Sequence, residues 1–271
     1  MAFHFAAKMN DSEITIMHTY FSGLYSSIPV GNAFNYETTD EETVIKIIKK
    51  VHADIEGLSK QLKEKIKTGI LPSVPFSTIL KEGIPEEEIL KFSKDYEPSL
   101  IMMGTRGKNH KELDLIGSVT AEIIDRSTVP LFAIPEDVQY KDFTKIKNIA
   151  YATSFEQKDL IAFQKMMDFL SPFNVIIHFI HISQDNDAWS EIKLAGIKEY
   201  FKKNYPTLET EYHLIQGTDV LEGLDNFIAQ NKIDVIALNT HKRNIFSRLF
   251  NPSIARKMIF HAKTPMLIFH A

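Results

Sequence analysis

There is no cysteine anywhere in the 271 residues. That excludes a disulfide framework, a thiolate zinc site and a cysteine nucleophile, and it fits a reducing compartment. No apolar run approaches the roughly 20 residues that a helix needs to cross a bilayer. The opening Met-Ala-Phe-His-Phe-Ala-Ala-Lys-Met is too short, and has the wrong charge order, for a signal peptide. No basic face dominates either: the formal net charge is -4, with acidic and basic residues interspersed. That speaks against a dedicated nucleic-acid binder. These absences give an expected cytoplasmic protein with neither a membrane nor a nucleic-acid partner. What is present, 44% hydrophobic and 24% charged residues, is ordinary for a globular chain, and the length suits two modest domains.

Glycine is sparse, and three of the 11 glycines fall in one stretch, Met103 to Ser118. The apolar run Leu100-Ile101-Met102-Met103 leads into Gly104; Gly107 and Gly117 follow; an amphipathic run starts at Val119. This reads as a buried strand, a glycine-bearing loop and a helix opening on Gly-Ser. A helix N-terminus offers unpaired N–H groups and a positive dipole end, and glycines admit an anion close to the backbone. Gly117 would let a phosphate approach, Ser118 would donate its hydroxyl, and Thr105, Gly107 and Val119 would donate amides. Arg106 and Lys108 read as solvated loop charges.

Along the chain, strands alternate with helices, which argues for parallel sheets covered on both faces. Residues 2–9 read as the end of a helix and 13–20 as a strand. Residues 21–37 read as an irregular loop. Val44, Ile48, Val51, Ile55, Leu58, Leu62 and Ile66 mark one face of a long helix that stops at Gly69. Further strands are expected at 77–82, 99–103 and 130–134, with helices from Pro85 and Ser118. A polar linker follows, and the second half begins with a strand at 148–153. There Leu160, Phe163, Met167 and Leu170 line one helix face. Strands at 175–183, 211–216, 233–238 and 265–270 alternate with helices at about 187–203, at 253–261 and from a cap at Asp219.

The halves repeat. An offset of 135 carries Gly104 to Asn239, Thr105 to Thr240, Gly107 to Lys242, Gly117 to Pro252, Ser118 to Ser253 and Pro130 to Pro265. His18 matches His181 at an offset of 163. By that same offset the strand at 148–153 has its counterpart before Met1. The first half is thus expected to lack its first strand, which is normally central in a doubly wound sheet, and two strand edges are expected to lie unpaired.

The spacing Gly-x2-Gly-x9-Gly-Ser at Gly104, Gly107, Gly117 and Ser118 resembles that of the universal stress protein family. So do the lead-in Leu-Ile-Met-Met-Gly-Thr-Arg-Gly and the trailing Ser-Thr-Val-Pro-Leu-Phe-Ala-Ile-Pro. The resemblance covers nearly the whole chain as two tandem copies, residues 1–138 and 145–271. It implies an α/β fold of two doubly wound parallel sheets with helices on both faces, of the adenine-nucleotide alpha-hydrolase type. The first copy lacks its N-terminal strand. The resemblance also implies that the copies pair through their last strands as an intramolecular pseudo-dimer, with further homodimer formation open to them. The implied ligand is ATP, with magnesium, or a related adenine nucleotide. The loop and Ser118 would hold phosphates and ribose, and Thr19 would lie against adenine. The adenine-binding Asp of the first strand has no counterpart in the first half and falls at Ser154 in the second.

In the second half Asn239, Lys242 and Pro252 replace the three glycines, so that copy is expected not to bind ATP. Lys242, Arg243 and Arg248 read as an exposed basic loop. His178 and His181, three apart on a strand, face opposite sides and cannot share an ion, so no metal site is assigned. Glu86, Glu87 and Glu88 read as a solvated first turn. Asp114 and Glu112 have no assignable role, and no catalytic residue is named. The expected function is that of a stress-response binding module that senses a nucleotide. The alternatives are a slow ATP hydrolase and a scaffold that binds no nucleotide.

Overall fold

The computed structural model describes residues 1–22, 41–105, 118–135, 138, 145–153, 157–183, 188–216, 220–240 and 264–270. The chain divides into two compact units, residues 2–95 and 96–271. The expected loop at 23–37, the cap at Asp219 and the helix at 253–261 lie outside the described residues.

The smaller unit runs α1 (Ala2–Ala6), β1 (Ile14–Tyr20), α2 (Glu41–Lys67), β2 (Phe76–Glu82) and α3 (Pro85–Tyr96). β1 and β2 pair in parallel, from Ile14 opposite Phe76 to Tyr20 opposite Glu82. Under them Phe3, Ala6 and Val74 form a small core with Ile14, Leu62, Ile66, Leu71 and Phe76. The Phe3 ring meets the Phe76 ring edge-on at 5.7 Å. Of the apolar stripe on α2, only Val44 and Ile55 are fully buried, and Leu58 is exposed. A two-stranded sheet is too narrow to cover a helix of 27 residues. Gly69 stops that helix in the left-handed region (φ 74°), where a side chain is disfavoured. Pro85 opens α3 at its first position, as expected from its fixed φ and missing donor.

The larger unit runs β3 (Ile101–Gly104), α4 (Ser118–Arg126), β4 (Leu131–Ile134), β5 (Asn148–Ala152), α5 (Gln157–Leu170), β6 (Ile176–Ser183), α6 (Ala188–Asn204), β7 (Glu209–Gln216), α7 (Val220–Asn231), β8 (Val235–Thr240) and β9 (Met266–His270). Its strands form one seven-stranded sheet in the order β3-β4-β9-β8-β5-β6-β7. Every pairing is parallel except β4 with β9, where Leu131, Phe132 and Ala133 lie opposite Ile268, Leu267 and Met266. The last strands of the two halves thus meet antiparallel. The second half has its first strand, β5, in the central place between β8 and β6.

This differs from one complete sheet per half. The first half contributes β1-β2 to one sheet and β3-β4 to another. Residues 1–22 hold α1 and β1 and no earlier strand. Among the described residues β1 and β3 each have a single strand neighbour.

The core of the larger unit is aromatic on one face. Tyr151, Phe163, Phe179 and Phe201 are at most 1% exposed. The Phe163 ring lies 4.5 Å from that of Phe201 and 5.2 Å from that of Phe179. On α5 the fully buried methionine is Met166, with Met167 only partly covered, so the buried stripe runs through Asp159, Ala162, Phe163, Met166 and Leu170. Phe163→Ala should lower the stability of this unit by about 3–5 kcal/mol. Leu58→Ala, on the exposed side of α2, should stay within about 0.5 kcal/mol. Urea unfolding followed by circular dichroism measures both.

Candidate functional site

The glycine stretch begins where β3 ends. Gly104 is the last residue of that strand, and its carbonyl accepts a hydrogen bond from the Thr120 hydroxyl at 3.0 Å. The next residue, Thr105, is buried and its N–H donates to the Ile134 carbonyl at 3.0 Å. Thr120 is in the first turn of α4, which starts at Ser118. A side chain of that turn therefore holds the strand end, and the free N–H groups at the start of α4 belong to the same local structure as Gly104 and Thr105. Val119 is partly buried in that turn. Gly107 and Gly117 lie outside the described residues, as does the side chain of Ser118. Thr19 belongs to the smaller unit, where it is partly buried on β1 opposite Lys81.

Residues 1–135 match the universal stress protein family profile. A putative universal stress protein of Staphylococcus epidermidis is 30% identical over 138 residues, covering 51% of this chain and 75% of the relative. Another, from Staphylococcus saprophyticus, is 32% identical over 139 residues, covering 49% and 75%. The chain belongs to the universal stress protein family. The match to a universal stress protein of Methanocaldococcus jannaschii is 30% identical over 101 residues and spans 36% of this chain and 56% of that relative. Among solved structures, a universal stress protein from Archaeoglobus fulgidus has the same fold, with a TM-score of 0.72, 17% identity, and 99% and 90% of the two chains covered. Among the described residues, no helix is long and apolar enough to cross a membrane.

The second half carries a different arrangement at the position that the 135-residue offset pairs with Gly104. Asn239, which stands where the first half has Gly104, is buried, and its amide donates to Asp159 Oδ1 at 3.3 Å. Asp159 is in the first turn of α5, where the dipole favours a carboxylate. Its other oxygen, Oδ2, accepts the Thr153 hydroxyl at 2.9 Å, and its carbonyl accepts the Tyr151 hydroxyl at 2.6 Å. Burial, with the Asp159 charge adding to it, holds Tyr151 well above the ordinary phenol range, so it stays a donor. The cavity beside this network, of about 10 Å³, has room for little more than a water molecule, far below the roughly 300–1,000 Å³ of small-molecule sites. The Asn239 side chain is thus part of a buried polar cluster.

Asp159 is the residue that the sequence reading missed. Its only signal was an acidic residue just inside a helix start, and that pattern is common on solvated first turns. Ser154, Lys242, Arg243, Arg248 and Pro252 lie outside the described residues, as do Arg106, Lys108, Glu112 and Asp114. His181 and His178 face opposite sides, as their spacing requires. His181 Nδ1–H donates to the Thr153 carbonyl at 2.9 Å. His178 meets Asn148 and His213 on the other face. Burial keeps His178 below the ordinary histidine pKa, Glu211 pulls the other way, and His213 adds a smaller push downward.

Removing the Asp159 carboxylate leaves buried donors on Thr153 and Asn239 without that acceptor. Asp159→Ala should cost about 1–3 kcal/mol of stability. The urea midpoint checks the loss, and nucleotide binding measured on the same folded sample should not change.

Proposed function

We propose that this is a tandem member of the family, with copies at residues 1–138 and 145–271, that binds ATP with magnesium, or a related adenine nucleotide, at the first copy and acts as a sensor. The observation that carries this reading is the clasp of Thr120 on the Gly104 carbonyl at 3.0 Å. It sets the strand end beside the N-terminal turn of α4, the arrangement in which backbone amides hold a phosphate. Gly104, Thr105, Gly107, Gly117, Ser118 and Val119 form the phosphate and ribose cradle, and Thr19 lies against adenine. The antiparallel meeting of β4 and β9 supports the pairing of the copies as an intramolecular pseudo-dimer. The Asn239–Asp159 contact supports a second copy that keeps the fold without the ligand.

Calorimetric titration of the full chain with magnesium and ATP tests the reading. Saturating heat is expected at one nucleotide per chain. Gly117→Val should abolish it by placing a branched side chain where the phosphate approaches, and Pro252→Gly should leave it unchanged. No heat with ATP, ADP or AMP would leave the scaffold reading. Binding followed by phosphate release over hours would make the protein a slow hydrolase.

A further inference from the structure

Three electron-rich atoms converge on the α7 side of the second-half sheet, and none of them belongs to the nucleotide reading. β6 and β7 pair in parallel with His178 opposite Glu211 and Ile180 opposite His213. Glu211 and His213 are two apart on one strand, so they share a face, and the register puts His178 on that face too. His178 Nδ1 lies 3.3 Å from His213 Nε2. Glu211 Oε2 lies 3.3 Å from His178 Nδ1 and 3.3 Å from His213 Nε2. The three atoms form an equilateral triangle. An edge of about 3.3 Å is that of a tetrahedron whose vertices stand about 2.0–2.1 Å from its centre, the distance at which zinc binds imidazole nitrogen and carboxylate oxygen.

The surroundings orient the donors as a metal site needs. Asn148 Nδ2–H donates to the Lys232 carbonyl at 3.3 Å, which turns Asn148 Oδ1 toward His178. His178 Nε2–H donates to that oxygen at 3.3 Å, so Nδ1 carries the lone pair and points it into the triangle. Asn148 is itself anchored, because its backbone N–H and that of Lys147 both donate to Asp234 Oδ2, at 2.9 and 2.8 Å. The Phe227 ring of α7, 4.7 Å from the His213 ring, walls one side with apolar surface. The Glu211 side chain is 52% exposed and β7 ends the sheet, so water reaches the remaining side.

We propose that His178, Glu211 and His213 bind a divalent transition ion of the zinc class, with water in the fourth position, clipping the edge strand β7 to β6. Two imidazoles with one carboxylate suit zinc and its neighbours; calcium and magnesium select oxygen sets. The site lies in the second half and does not depend on nucleotide binding.

The test uses the full chain without a histidine tag, stripped with EDTA. Zinc titrated into it should bind at one ion per chain and raise the midpoint of thermal unfolding, and cobalt(II) should give the intense visible band of a four-coordinate ion. His213→Ala and Glu211→Gln, both at solvent-reached positions and checked for fold by circular dichroism, should each weaken zinc by more than about 10-fold. Asn148→Ala, which removes the orienting bond to His178 together with the bond to the Lys232 carbonyl and leaves all three ligands in place, should weaken it about 10–100-fold. His52→Ala, at an exposed position on α2, should change nothing. The proposal is overturned by absence of zinc heat, or by zinc affinity that survives intact in both His213→Ala and Glu211→Gln.

Discussion

A strand inside a sheet has hydrogen-bonding groups along both edges, and each edge must meet another strand, a covering segment or water. That demand arranges this chain. In the second half it is met in the ordinary doubly wound way, with β5 between β8 and β6. In the first half, β1 and β3 each have one strand neighbour among the described residues. β4 has two neighbours because it meets β3 on one side and crosses to β9 on the other. The core follows the same division. Burial is deep and aromatic around β5 and β6, and shallow around β1 and β2, where Phe3, Ala6 and Val74 are the buried apolar cluster.

Where punctuation is chemical, the sequence could be read to the residue. Pro85 can occupy only the first turn of a helix, and α3 starts there. The Gly-Ser pair predicts a helix start, and α4 begins at Ser118. Gly69 ends α2 because the left-handed conformation there suits a residue without Cβ. What could not be read was anything set by register between strands. His178 and His181 look like a pair on paper and are separated by the pleat. His178 and His213 are 35 residues apart and become neighbours only because β6 and β7 align as they do. Asp159 was hidden for a related reason, because its partners Thr153 and Asn239 come from the ends of two strands.

The two faces of the second-half sheet also do different things. The face under α5 and α6 is packed with rings and closed by the Tyr151, Thr153, Asp159 and Asn239 cluster. Its fit is that of a core, with Asp159 accepting from Thr153 and from the Asn239 amide. The face under α7 carries Asn148, His178, Glu211 and His213 near a sheet edge that water reaches. Hydrophobic burial is compatible with both, because each face alternates along the same strands and a residue's neighbour in sequence always belongs to the opposite layer.

The β4–β9 seam has a bearing on what one half of the chain supplies to the other. Leu131, Phe132 and Ala133 are at most 1% exposed where β4 lies against β9. A chain cut at residue 135, where the family match ends, would keep Gly104, Gly107, Gly117 and Ser118 and turn that side of β4 toward solvent. The last strand of the second half therefore serves the first half as a cover for one edge of β4.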